Sequence, residues 1–102
     1  MDQERRTNER VVVNLSAKWR GASGMHEGRV EDLSVKGCFV NTREAVDVGE
    51  IVSLLIKLPS EQWLTLRGKV VYAQQLVGFG LRFSTLDDEE RIALDQLVNT
   101  SA

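Results

Sequence analysis

Two short polar stretches carry the residue types from which a binding site could be built. The first is Asp32-Leu33-Ser34-Val35-Lys36-Gly37, a turn between a strand-like run ending near Val30 and another resuming at Cys38. Asp32 and Ser34 are two apart, so on an extended strand end their side chains share a face. A carboxylate acceptor beside a hydroxyl suits a ligand with N–H donors along a planar edge, and a guanine base is one example. Gly37 sits where a tight turn often needs positive φ. The same residues can also cap the turn through their own backbone, and this stretch alone favours that plainer role. The second stretch is Arg5-Arg6-Thr7-Asn8-Glu9-Arg10. The planar fork of arginine binds phosphate, and the Hoogsteen edge of guanine, through paired hydrogen bonds. Arg6 and Arg10 are four apart and share a face on a helix and on an extended arm alike. Asp2, Glu4 and Glu9 balance the arginines, so charge alone does not make this a polyanion-binding tail.

Constellations for catalysis are poor. His26 has no second histidine or cysteine at ligand spacing, which argues against a metal site. Cys38 enters a strand with no histidine nearby in sequence to activate it, so it reads as a small buried apolar residue. The run Asp87 to Glu90 is explained by the start of a helix. There is no glycine-rich phosphate loop followed by a helix. The expectation is a protein that is not an enzyme, with no cofactor and no metal.

The 102 residues fit one domain with one core. Hydrophobic content of 42% and charged content of 27% are those of an ordinary globular chain. A net charge of −2 argues against a partner as polyanionic as a nucleic-acid polymer. The single cysteine excludes an intramolecular disulfide and suits a reducing compartment. No apolar signal region opens the sequence and no run is long enough to span a bilayer, so a cytoplasmic protein without membrane insertion is expected.

The elements that must position the two stretches follow from hydrophobic periodicity. Residues 1–10 have no apolar side chain after Met1 and read as a flexible arm. Val11, Val13, Leu15, Ala17 and Trp19 alternate with more polar residues, which makes a half-buried strand. Gly21-Ala22-Ser23-Gly24 reads as a hairpin loop, Met25 to Asp32 as a second strand, and Cys38-Phe39-Val40 as a short third. Asn41 to Glu50 reads as a loop crossing one end of the sheet. Val52, Leu54, Ile56 and Leu58 mark a fourth strand that Pro59 ends. In a fifth, Leu64, Leu66, Val70 and Tyr72 share one face, and Gly68 offers a bend or bulge. Val77, Phe79, Leu81 and Phe83 mark a sixth. Such strands tend to close into a barrel, because closure removes exposed edges. A C-terminal helix follows, with Thr85 as N-cap and Asp88 three residues on. Its stripe of Leu94, Leu97 and Val98 suits a cover over an open end of the barrel, the alternative being a partner-binding helix.

Taken together, the two stretches resemble the paired signature of PilZ domains. That signature is Arg-x-x-x-Arg, then Asp or Asn-x-Ser-x-x-Gly about twenty residues later. Here Arg6 and Arg10 match the first part, with Arg5 an accessory, and Asp32, Ser34 and Gly37 match the second. The ending Gly78-Phe79-Gly80-Leu81-Arg82-Phe83 before an acidic helix start is also similar, so the likeness covers essentially the whole chain. The resemblance implies a mainly β fold: a six-stranded antiparallel barrel of Greek-key or split type over 11–102, with a C-terminal helix. It also implies a non-enzymatic receptor for the bacterial second messenger cyclic di-GMP, bound by Arg5, Arg6, Arg10, Asp32, Ser34 and Gly37. Ordering of the arm on the ligand would then present a surface to a downstream protein partner. Two other readings are a barrel of this kind serving only protein–protein interaction, and a small barrel for single-stranded nucleic acid. The second lacks evident exposed aromatics and has the wrong charge. Oligomeric state is not legible.

Overall fold

Alternating apolar and polar side chains set the strands, and the computed structural model describes residues 10–101. The strands are β1 (Val11–Gly21), β2 (Gly24–Leu33), β3 (Gly37–Asn41), β4 (Ile51–Lys57), β5 (Trp63–Gln74) and β6 (Gly78–Phe83). Helix α1 (Asp88–Ser101) follows. Every neighbouring pair is antiparallel, and the order β1-β2-β3-β6-β5-β4 closes through pairing of β4 with β1. The expected six-stranded barrel with one C-terminal helix is therefore the architecture found. Closure gives every strand a partner on both sides, the β1–β4 seam pairing over Ala17–Arg20.

Consecutive strands β3 and β4 are not neighbours, so residues 42–50 must cross between them. Polar contacts hold that crossing. Thr42 accepts from the indole N–H of Trp19 at 3.3 Å and donates to the Glu27 carbonyl at 3.3 Å. Glu50 accepts from the Asp47 and Ala22 backbone N–H groups, at 2.8 and 2.9 Å, and these bonds hold its carboxyl below the usual range.

The interior holds Trp19, Val30, Leu33, Val40, Val52, Leu54, Ile56 and Phe79, all fully buried. Trp19 meets Phe79 edge to face at 5.1 Å between ring centres. Burying each large apolar side chain contributes about 1.5–3 kcal/mol. Helix α1 adds Leu94, Leu97 and Val98 to the same core and lies nearest β1 and β5. Its cap is not the expected one. Asp87, rather than Thr85, closes the first turn: the Glu90 N–H donates to Asp87 Oδ1 at 2.7 Å and the Asp87 N–H to Glu90 Oε1 at 3.0 Å. That reciprocal pair satisfies two backbone donors at once, which outweighs the Thr85 alternative.

Three register shifts break the pairing: between Val12 and Leu15 in β1, between Val30 and Asp32 in β2, and between Val70 and Tyr72 in β5. The last two change which face a side chain meets. Val30 and Leu33 are both inward and three apart, so Asp32, two beyond Val30, points out instead of into the core. Val70 is inward, and the extra residue Val71 turns Tyr72 outward at 48% exposure. The expected common face of Leu64, Leu66, Val70 and Tyr72 therefore ends at Val70. The bulge lies two residues beyond Gly68, which pairs in regular register with Val52 and Phe83. Val77 also departs from its expected inward place. Its N–H bonds the Gln74 carbonyl at 3.0 Å, so it belongs to the hairpin turn, and β6 starts at Gly78.

Gly37 is needed for a different reason than expected. It is not among the residues with positive φ. A Cβ there would lie 2.2 Å from the Leu81 carbonyl oxygen, so its small size lets β3 approach β6. Next along β3, Cys38 is buried, which pushes its thiol far above the usual range, and the nearby Asp32 carboxylate pushes in the same direction. Three outcomes follow. Gly37→Ala should lower stability by about 1–3 kcal/mol, the range for an overpacked interior, read as a shift in the denaturant midpoint. Asp87→Ala should cost about 1 kcal/mol in the same assay, while Thr85→Ala stays within about 0.5 kcal/mol. Cys38 should resist a thiol-specific disulfide reagent at pH 8 in the native protein and react promptly in denaturant.

Candidate functional site

The bulge at Glu31 places Asp32 on the outer wall at the end of β2, where its side chain is 39% exposed. Arg10 stands one residue before β1, and β1 pairs with this end of β2, Val12 opposite Asp32. The Arg10 guanidinium accordingly donates through Nη1 to Asp32 Oδ1. Both partners are open to water, so the pair adds little stability and is free to exchange for another charged group. Arg5 and Arg6, the other two arginines expected at the site, lie outside the described residues.

Ser34 does not share the face of Asp32. The strand ends at Leu33, and Ser34 turns inward with 3% exposure. Its hydroxyl accepts from the Lys36 N–H at 3.1 Å and the Gly37 N–H at 3.3 Å, and its own N–H donates to the Gly37 carbonyl at 2.9 Å. The Phe83 N–H then bonds the Lys36 carbonyl at 2.8 Å and ties the turn to β6. Ser34 and Gly37 thus shape the turn that presents Asp32 and Lys36.

Beside this turn lies a half-open cleft of about 280 Å³. Arg10, Lys36 and Arg82 supply three cationic side chains, Gly37 and Gly80 supply backbone, and Tyr72 forms a wall. Arg10 is paired with Asp32, and the cleft as a whole favours an anion that brings hydrogen-bond acceptors. Lys36, Tyr72 and Arg82 were not expected at the site. Lys36 lies within the Asp32–Gly37 stretch. Alternation alone puts Tyr72 in the core, because the bulge at Val71 leaves no mark in residue type. His26 serves elsewhere: its ring packs 4.7 Å from that of Trp19, and its Nε2 lies 2.8 Å from the Ser23 hydroxyl. Among the described residues no cluster of three or more histidine, cysteine, aspartate or glutamate side chains could hold a metal ion. No helix among them is long and apolar enough to cross a membrane.

The barrel is similar to several solved structures. The PilZ domain of CeSA from a cellulose-synthesizing bacterium matches with a TM-score of 0.71 and 19% identity, over 90% of this chain and 96% of that one. The PilZ domain of YcgR from Escherichia coli, with c-di-GMP, matches with a TM-score of 0.77 and 12% identity, over 95% and 91%. The Bacillus subtilis inhibitor of motility (MotI/DgrA) matches with a TM-score of 0.76 and 19% identity, over 94% of this chain and 50% of that longer one. At such identities these likenesses speak for the fold. No curated protein sequence matches significantly. The PilZ domain family model matches residues 4–100, from the arginine stretch through the barrel to the helix, and a match over that span means that the chain belongs to the PilZ domain family.

Proposed function

We propose that this chain is a non-enzymatic receptor for cyclic di-GMP. The observation that carries the reading is the meeting of Arg10 with Asp32, 22 positions apart in sequence, beside a cleft that also holds Lys36 and Arg82. Membership of the family supports it, as do structural neighbours in complex with c-di-GMP, YcgR of Escherichia coli and PlzA of Borreliella burgdorferi. The ligand's chemistry fits the groups present. Its phosphates and the Hoogsteen edge of guanine accept from arginine, and guanine N–H groups donate to a carboxylate such as Asp32. Each paired contact is worth about 1–3 kcal/mol. A few of them, less the cost of ordering a short segment, come near the ~8 kcal/mol of micromolar binding.

On this reading Arg5, Arg6 and Arg10 hold the ligand from the N-terminal side and Asp32 holds it from the barrel. The Ser34–Gly37 turn sets where Asp32 stands. The Arg10–Asp32 pair opens or re-forms around the ligand, and residues 1–10 order on it. The ordered arm is the surface that a downstream protein partner reads, in the cytoplasm where the messenger is found.

Calorimetric titration with cyclic di-GMP, with GMP as control, tests the receptor. Micromolar binding is expected, and Arg10→Ala and Asp32→Ala should each lose at least tenfold in affinity. A flat titration would leave a barrel that serves only protein–protein contact. Hydrogen exchange tests the relay separately: protection of residues 1–10 should rise when ligand is added, and equal exchange in both states rejects the ordering step.

A further inference from the structure

Tyr72 is the part of the cleft that the receptor reading does not use. It is 48% exposed on the outer wall, where its ring lies over Gly80 of β6. A Cβ on Gly80 would sit 2.2 Å from Tyr72 Cε1, so the glycine makes the seat for the ring. Behind it the Phe39 ring is stacked at 6.2 Å with an interplanar angle of 26°. The register puts these groups in one row across four strands: Asp32 opposite Phe39, Phe39 opposite Gly80, and Gly80 opposite Tyr72. An aromatic face with a supported position, an acceptor at the far end of its row and three cations in the cleft beside it is what a nucleotide requires: a surface for the base and charge for the phosphate. The cleft, about 280 Å³, lies just under the range of about 300–1,000 Å³ that encloses a drug-sized ligand, so it suits one base with its phosphate.

We propose that Tyr72 is the base-stacking residue of this site, taking the face of a guanine while Lys36 and Arg82 hold the phosphate joined to it. The assignment rests on the cyclic di-GMP reading and adds to it the subsite for the base. Phe39 fixes the tilt of Tyr72, so the platform is set before the ligand arrives and little ordering is needed there.

The test uses calorimetry and the ring resonances of Tyr72, the only tyrosine in the chain. Cyclic di-GMP should move those resonances upfield, as stacking on a base does, and GMP should do the same at higher concentration. Tyr72→Ala should weaken cyclic di-GMP binding about tenfold, the scale of one lost base stack, while Tyr72→Phe keeps near wild-type affinity. Arg82→Ala should weaken binding and make it less sensitive to salt. Wild-type binding with a stationary tyrosine signal, together with unchanged affinity in Tyr72→Ala, overturns the stacking role and leaves the receptor standing. Failure of the wild-type chain to bind cyclic di-GMP overturns both. Circular dichroism of each variant separates lost contact from lost fold, since Tyr72 and Arg82 lie outside the core.

Discussion

A closed barrel has one dry face and one wet face, and a strand visits them by turns. The positions of the chemically useful side chains follow from that constraint. Left to strict alternation from Val30 and Val70, Asp32 and Tyr72 would both aim at the interior. A buried carboxylate without a partner is costly, and a third large ring would crowd a core already filled by Trp19 and Phe79. One extra residue in β2 and one in β5 break the alternation where it would do harm. Both side chains then emerge on the same stretch of wall, next to the turn that carries Lys36.

The turn is held from three sides. Ser34 gathers its backbone N–H groups, the Phe83 N–H anchors its far end to β6, and Gly37 lets β3 come close enough for that bond. Ser34 and Gly37 therefore fix where Asp32 stands. A rigid turn under an exposed, exchangeable ion pair gives this stretch of wall a firm base and a movable charge.

The strands and the helix were legible because their signals are periodic. Val52-Ser53-Leu54-Leu55-Ile56 can be little but a strand with one buried face, and Leu94, Leu97 and Val98 fall on one side of a helix. The meeting of Arg10 with Asp32 was legible through the paired motif. What stayed hidden was local and lacked a residue signature. Glu31 and Val71 are ordinary residues, and nothing in their types says that the chain gains a position there. Tyr72 was misplaced for that reason alone, although Gly80 opposite it was a clue, since an aromatic ring often covers a cross-strand glycine. Val77 read as part of a strand because the hairpin turn carries valine in place of a usual turn residue. The cap passed from Thr85 to Asp87 because Glu90 was placed to answer it, and short capping patterns overlap in a run of four acids.

The row from Asp32 through Phe39 and Gly80 to Tyr72 crosses three strand spacings. At about 4.8 Å each, its ends stand roughly 14 Å apart along the wall. Both strand neighbours and the closed circuit of the sheet hold that length, so it cannot stretch to suit a visitor. Such a wall acts as a caliper. On the proposed reading it rewards a molecule whose hydrogen-bonding edge and flat face are already set at the matching distance, and it gives a shorter or floppier one only half a grip.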